Sequence, residues 1–192
     1  MADAESLAKQ ARKASHGWFT TPRRPGDRTF EQQIIGLEPL FAEVSGKTVL
    51  DVGCAEGLIS IECARRGARF TRGAEIVAGH VAIANTLHEN RPCKFIRADA
   101  NEWVPDREYD IVLLLAILHK LTNPTDACAR FAGAARELCV IRYPISSEGE
   151  VIVDARSSSE PHNIGELMEA MDFRVEQITV GPFDEQTYFY RR

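Results

Sequence analysis

Long apolar runs are missing from this 192-residue chain: the longest, residues 111–118, spans eight residues, whereas a membrane-spanning helix needs roughly 20. No bilayer crossing and no membrane partner are expected. Cysteine is scarce and scattered over five positions (Cys54, Cys63, Cys93, Cys128 and Cys139) with no C-x-x-C pair, so neither a disulfide framework nor a zinc site is indicated. The cysteines read as small buried apolar residues, and no metal is expected. Positive charge is in deficit, with 23 Lys and Arg against 28 Asp and Glu, which argues against a protein that coats nucleic acid by bulk charge. The first residues, Met1-Ala2-Asp3-Ala4-Glu5, lack the basic and then apolar character of a secretory signal, so a cytoplasmic protein is expected. What remains, 44% apolar and 27% charged residues, describes one soluble globular domain.

Charge is distributed unevenly. Residues 1–28 carry six Lys and Arg against three carboxylates, while residues 151–192 carry four Arg against eight carboxylates. The basic segment is either a solvated surface or a local holder of a phosphate or carboxylate. Residues 4–14 are good helix formers and predict a short surface helix. The breaker-rich stretch from His16 to Gly26 predicts a loop pinned to the body by Trp18 and Phe19. Ile34, Ile35, Leu37, Leu40 and Phe41 at helical spacing predict a helix over 30–44, kinked or shortened by Pro39.

From Lys47 strands and helices alternate. Strands are predicted at 48–52, 69–75, 94–98, 109–115 and 138–143, with helices at 58–66, 77–90 and 125–137 between them. The strand at 109–115 is apolar on both faces, as in a central parallel strand covered on each side. Repeated β-α units of this length imply an α/β fold built on a doubly wound parallel sheet. A helix near 164–171 and two strands, 174–180 and 186–190, joined through Gly181-Pro182, then predict a C-terminal antiparallel hairpin. The short run Val151-Ile152-Val153 reads as a small extra strand or a patch over the site. The chain therefore divides into an N-terminal helical arm or lid, 1–46, and a core, 47–192.

The stretch Val49 to Gly57 is a strand that breaks at Gly53 and enters a helix just after Gly57. Glycines at such a turn permit positive φ and close approach of a ligand to the backbone, or serve only a tight turn. The spacing Gly53-x-x-x-Gly57 satisfies neither G-x-G-x-x-G nor G-x-x-x-x-G-K-[ST], which disfavours a nicotinamide or nucleoside-triphosphate site.

The run Asp51-Val52-Gly53-Cys54-Ala55-Glu56-Gly57 resembles motif I of class I S-adenosylmethionine-dependent methyltransferases, and later features fall in that family's order. Glu75, which ends the second strand 22 residues beyond Gly53, matches the acid that holds both ribose hydroxyls. A carboxylate there can accept two hydrogen bonds from a diol. Asp99-Ala100 matches the position that receives the adenine amino group, and Tyr109 to Leu121 matches the fourth-strand segment that often ends in a Leu-His pair near the methionine moiety. The resemblance covers 47–192 and implies a Rossmann-like sheet with helices on both faces. It implies S-adenosyl-L-methionine as cofactor, held by Asp51, Gly53, Cys54, Ala55, Gly57, Glu75, Ile76, Asp99, Ala100 and Leu115. Ala55 departs from the family, replacing the middle glycine of G-x-G-x-G, and this bears on cofactor affinity.

The implied chemistry asks little of side-chain acids, because the sulfonium already carries an activated methyl group and the enzyme aligns the acceptor and excludes water. His119 is the candidate base if the acceptor must lose a proton; a cofactor contact and a structural role stand beside that reading. The Asn/Asp-Pro-Pro-Tyr signature of exocyclic-amine methylation is replaced by Leu114-Leu115-Ala116-Ile117, so adenine-N6 and glutamine-amide acceptors lose ground. The segment before the first core strand commonly lies over the cofactor in this family, which makes Trp18, Arg23 and Arg24 the candidate substrate residues, with Arg28 beside them. Trp18 reads equally as a packing anchor, and Trp103 either stacks near adenine or belongs to the core. The function implied is methyl transfer to a small-molecule acceptor. Two alternatives remain: a tRNA methyltransferase of the wobble-uridine type, to which the Trp18-Phe19 stretch bears a likeness, and a non-catalytic cofactor-binding partner subunit. Oligomeric state is left open.

Overall fold

The structure, a computed structural model, describes residues 17–88, 90–143 and 164–192. Two three-residue strands, β1 (Gly17–Phe19) and β2 (Gly26–Arg28), pair with each other, and two short helices follow, α1 (Phe30–Ile34) and α2 (Glu38–Glu43). The core then runs β3 (Thr48–Val52), α3 (Leu58–Arg65), β4 (Phe70–Glu75), α4 (Ala78–Leu87), β5 (Cys93–Arg97), β6 (Tyr109–Leu115), a 3-10 turn at Leu118–Lys120, α5 (Pro124–Gly133) and β7 (Ala135–Tyr143). It closes with α6 (Ile164–Ala170), β8 (Arg174–Val180), a 3-10 turn at Pro182–Asp184 and β9 (Gln186–Arg191). Seven strands form one sheet in the order β5-β4-β3-β6-β7-β9-β8. The first five are parallel, and β9 lies antiparallel to both β7 and β8.

The alternation of side chains along the central strands builds two cores. Leu50, Val112, Leu114, Cys139 and Ile141 point to one face, packed with Phe131 of α5, Met168 of α6 and Phe173. Val49, Ile111, Leu113, Leu138 and Val140 point to the other, packed with Leu37, Leu40 and Phe41 and with Ile59 and Cys63 of α3. Both faces are thus covered, as a sheet of parallel strands requires. Four of the five cysteines are buried and all five are free. No helix among the described residues is long and apolar enough to cross a membrane.

Three expectations need correction. The helix expected over 30–44 is two helices, broken at Gly36, which takes a left-handed φ of 76°. The break is fixed from far away: the Gly36 carbonyl accepts from Thr179 Oγ1 at 2.6 Å and the Ile35 carbonyl from Arg142 Nη2 at 2.6 Å. Pro39 falls in the first turn of α2, where its missing N–H is no loss, so it starts a helix and does not kink one. The helix expected to reach 137 ends at Gly133, because Ala135 pairs with Tyr109 and draws the following residues into β7. The breaker-rich segment expected as a loop contains β1 and β2. The expected helix at 4–14 and the strand at 151–153 lie outside the described residues.

Candidate active site

The carboxyl ends of β3, β4, β5 and β6 meet along one edge of the sheet, where an open α/β fold places its ligands. Between β3 and α3 the chain makes a turn in which Gly53, Ala55 and Gly57 have φ of 74°, 49° and 76°. A side chain on Gly57 would run into the Phe95 ring, so glycine is required there on two counts. Ala55 holds its left-handed backbone at an expense of roughly 1 kcal/mol relative to glycine. Its N–H is anchored by Glu75 Oε2 at 3.0 Å, which fixes that conformation.

Glu75 ends β4 buried, and its second oxygen accepts from the Val77 N–H at 2.8 Å. One carboxylate therefore joins the turn after β3 to the start of α4, and each oxygen keeps a lone pair for a further donor. Beside it Ile76 and Val77 stand 49% and 42% exposed, an apolar surface next to an acid. Asp51 lies deeper, accepting from Ser60 Oγ at 2.7 Å and so tying β3 to the first turn of α3. Burial, opposed in part by that bond and reinforced by the charge of Glu75, pushes its carboxyl up to about 6. Burial also pushes the Cys54 thiol well above its ordinary value and keeps it neutral.

Glu56 is completely buried and faces the other way. Its Oε1 accepts from the Trp18 N–H at 3.1 Å and from Arg24 Nη2 at 2.8 Å, and its Oε2 accepts from the Phe19 N–H at 3.0 Å. His80 on α4 reaches Glu56 through Nε2 at 3.4 Å, and its Nδ1 lies 3.9 Å from Glu75. The strap formed by β1 and β2 is thereby clamped to the turn after β3. Farther along the same edge, the Trp18 ring lies 4.4 Å from Lys120 Nζ in the turn after β6 and 4.8 Å from the Arg28 guanidinium. Arg28 in turn bonds Glu185 at 3.0 Å, just before β9. The strap thus touches elements along much of the sheet's carboxyl edge.

Residues 49–138 match a family model described as "Methyltransferase domain". Over that stretch the chain resembles a methyltransferase domain. It is 30% identical over 137 residues to a ubiquinone biosynthesis O-methyltransferase from Cronobacter sakazakii, an alignment that takes in 67% of this chain and 56% of that protein. The chain thus spans little more than half the length of that relative. Among solved structures it resembles the magnesium protoporphyrin IX methyltransferase from Synechocystis with bound SAH (TM-score 0.64, 18% identity, covering 83% of this chain and 80% of that one). It also resembles a SAM-dependent methyltransferase from Aquifex aeolicus (TM-score 0.64, 16% identity, covering 100% and 99%). At these identities the structural likenesses establish the fold.

The other residues singled out from the sequence take separate places. Asp99, half-buried after β5, accepts from the backbone and side-chain nitrogens of Asn101 at 2.9 and 3.0 Å. Asn101 Oδ1 accepts in turn from the Thr122 N–H at 2.8 Å, so the loop after β5 is tied to the loop after β6. Ala100 and Leu115 are half-buried, and His119 sits half-buried in the 3-10 turn. Arg24 is drawn inward to Glu56, while Arg23 is exposed. Trp103 packs 6.0 Å from Phe131 at the margin of the core. Glu56 escaped the sequence reading, standing as an unremarked residue inside the glycine turn. The signal that could have found it is an acid in that turn paired with a basic segment upstream. Among the described residues no cluster of His, Cys, Asp and Glu is arranged to hold a metal.

Proposed function

We propose that this protein transfers a methyl group from S-adenosylmethionine to a small-molecule acceptor. The observation that carries the reading is Glu75, a buried carboxylate hung between the Ala55 and Val77 N–H groups with acceptor capacity left over, at the edge where the fold binds its ligands. The residues fit the cofactor. Glu75 accepts the two ribose hydroxyls, Ile76 supplies apolar surface to the adenine, Asp99 and Ala100 stand at its amino group, and Gly53, Ala55 and Gly57 bring the backbone close. Asp51 and Cys54 support that turn from beneath, and Leu115 lies toward the methionine end. When bound, the cofactor supplies a methyl group already activated on a sulfonium. What this chain contributes is orientation and exclusion of water: the arm of residues 1–46 serves as a lid on the core of 47–192, latched through Glu56. His119 is the residue placed to take a proton from an acceptor that must lose one.

Two relatives, named for ubiquinone biosynthesis and for magnesium protoporphyrin IX, support an acceptor that is a small molecule. The internal use of the arm's cations supports it further, since Arg24 pairs with Glu56 and Arg28 with Glu185 and neither is left for a nucleic-acid backbone. Calorimetric titration with S-adenosylmethionine, SAH and NAD tests the reading. Micromolar binding of the first two with no heat from NAD is expected, and absence of binding by both would sink it.

A further inference from the structure

His80, in the first turn of α4, stands between two buried carboxylates with different duties. Its Nε2 lies 3.4 Å from Glu56 Oε1, which holds the strap, and its Nδ1 lies 3.9 Å from Glu75 Oε1. Neither approach is a good hydrogen bond. Glu56 Oε1 already accepts from the Trp18 N–H at 3.1 Å and from Arg24 Nη2 at 2.8 Å, which fills its two lone pairs, and 3.9 Å is beyond hydrogen-bond reach. His80 Nδ1 is buried and has no hydrogen-bond partner among the described residues. A neutral imidazole placed this way does little for either carboxylate, so its charged form is the one that explains the placement.

The surrounding charges set the sign of the effect. Glu56 and Glu75 face the ring from the turn after β3 and from the end of β4, and Arg24 of the strap shares Glu56 Oε1 with it. Asp51 of β3 adds its charge to Glu75 from below, and the Cys54 thiol beside them stays neutral. Arg97, opposite Glu75 on β5, is engaged with the Ile76 carbonyl at 3.2 Å, and α4 carries no other charged or titratable side chain. A proton on His80 is therefore met by two carboxylates, and on one of them it competes with Arg24 for a single oxygen.

We propose that His80 is a proton-operated release that loosens the strap and the cofactor together. The ring, whose side chain keeps 14% exposure, takes a proton from solvent onto the nitrogen that held the lone pair, and no other covalent bond is made or broken. As an imidazolium it donates to both carboxylates. It draws Glu56 away from Arg24 and fills the acceptor capacity that Glu75 keeps for the ribose hydroxyls. When the proton leaves, both carboxylates return to their other partners. The cofactor half of this proposal rests on the proposed function, whereas the strap half rests on the geometry alone.

The test follows three signals in the parent protein from about pH 5.5 to 8: the His80 ring nitrogens by NMR, hydrogen exchange of the Trp18 and Phe19 amides, and SAH affinity by calorimetry. Those two amides donate to Glu56 and so report the latch directly. As pH falls and the ring gains its second N–H, exchange protection, corrected for intrinsic rates, should fall about tenfold and SAH affinity by a similar factor. In His80→Gln, which keeps a donor without the charge, and in His80→Phe, which keeps a ring without the proton, both pH dependences should flatten. Asp51 is present in all three proteins, so its own titration cancels in the comparison. Amide protection that does not follow the His80 ring in the parent, or that keeps its pH dependence in a folded variant, overturns the proposal. SAH that binds with the same pH dependence in parent and variants overturns the cofactor half. Failure of SAH to bind at any pH overturns the methyltransferase reading instead, and the exchange data then decide the strap half alone.

Discussion

The carboxylate of Glu56 meets the guanidinium of Arg24 at 2.8 Å, and the same carboxylate accepts from two consecutive backbone N–H groups of the strap. The turn expected to face a ligand is therefore also the fastening point of the segment that lies across it. A change at either end should be felt at the other.

Glu56→Ala leaves two backbone donors and an arginine without their acceptor in a buried setting. We expect a loss of about 3 kcal/mol in urea denaturation, toward the low end for a broken buried pair because the Arg24 side chain keeps 15% exposure. Limited trypsin digestion should cut faster between Arg23 and Arg24, since the strap loses its clamp. An unchanged cleavage rate would show that the clamp does not restrain the strap.

Glu75→Gln loses the negative charge and keeps an acceptor oxygen for only one of the two backbone N–H groups, of Ala55 and Val77, that Glu75 serves. SAH affinity should fall by roughly 1–3 kcal/mol by calorimetry, with a smaller drop in the thermal transition than Glu75→Ala gives. Glu75→Ala is the poorer probe, because it also abandons the N–H groups of Ala55 and Val77 and so confuses binding with folding.

Asp51 should give the protein a pH signature. Its carboxyl is pushed up to about 6 in the folded state from an ordinary value of 3.8, so between these values the folded chain binds more protons than the unfolded one. This group's contribution to stability is accordingly greatest below pH 3.8 and declines as pH rises to about 6. Asp51→Asn removes that dependence. Relative to the parent, it should gain on the order of 2–3 kcal/mol between the acid and neutral ends of the window, read from urea midpoints at several pH values. A parallel pair of curves would refute the shift.

Ala55→Gly should stabilise the fold by about 0.5 kcal/mol, the relief of a left-handed alanine less the extra freedom of glycine in the unfolded chain. A small rise in melting temperature with SAH affinity equal or higher is the expected pattern.

Much of this could be read from residues close in sequence. The β-α alternation from Lys47 onward is written in local periodicity, and the same periodicity sets the glycine turn at the end of one strand and Glu75 at the end of the next, where the Ala55 N–H meets the Glu75 carboxylate. The misses share a cause, which is distance along the chain. The break at Gly36 depends on Thr179 and Arg142, 143 residues from Gly36 and 107 residues from Ile35 respectively, and no helical pattern near residue 36 reports them. Glu56 finds Trp18 across 38 residues, joining two segments that taken singly read as a turn and a loop. Asp110 belongs to the same class. Placed in a buried central strand, it accepts from the N–H and hydroxyl of Thr48, 62 residues earlier, and so aligns the starts of β3 and β6.

The position of β9 bears on how the chain is made. β9 follows β8 in the chain yet fills the interior slot between β7 and β8, so a growing chain offers an unpaired β7 border for as long as residues 186–191 are still to emerge. During that interval β8 has no strand to join, and two nascent chains on neighbouring ribosomes present complementary borders to one another. Translation speed through the final hairpin thus sets a window for mispairing, and slow codons there should lower soluble yield without altering the finished molecule.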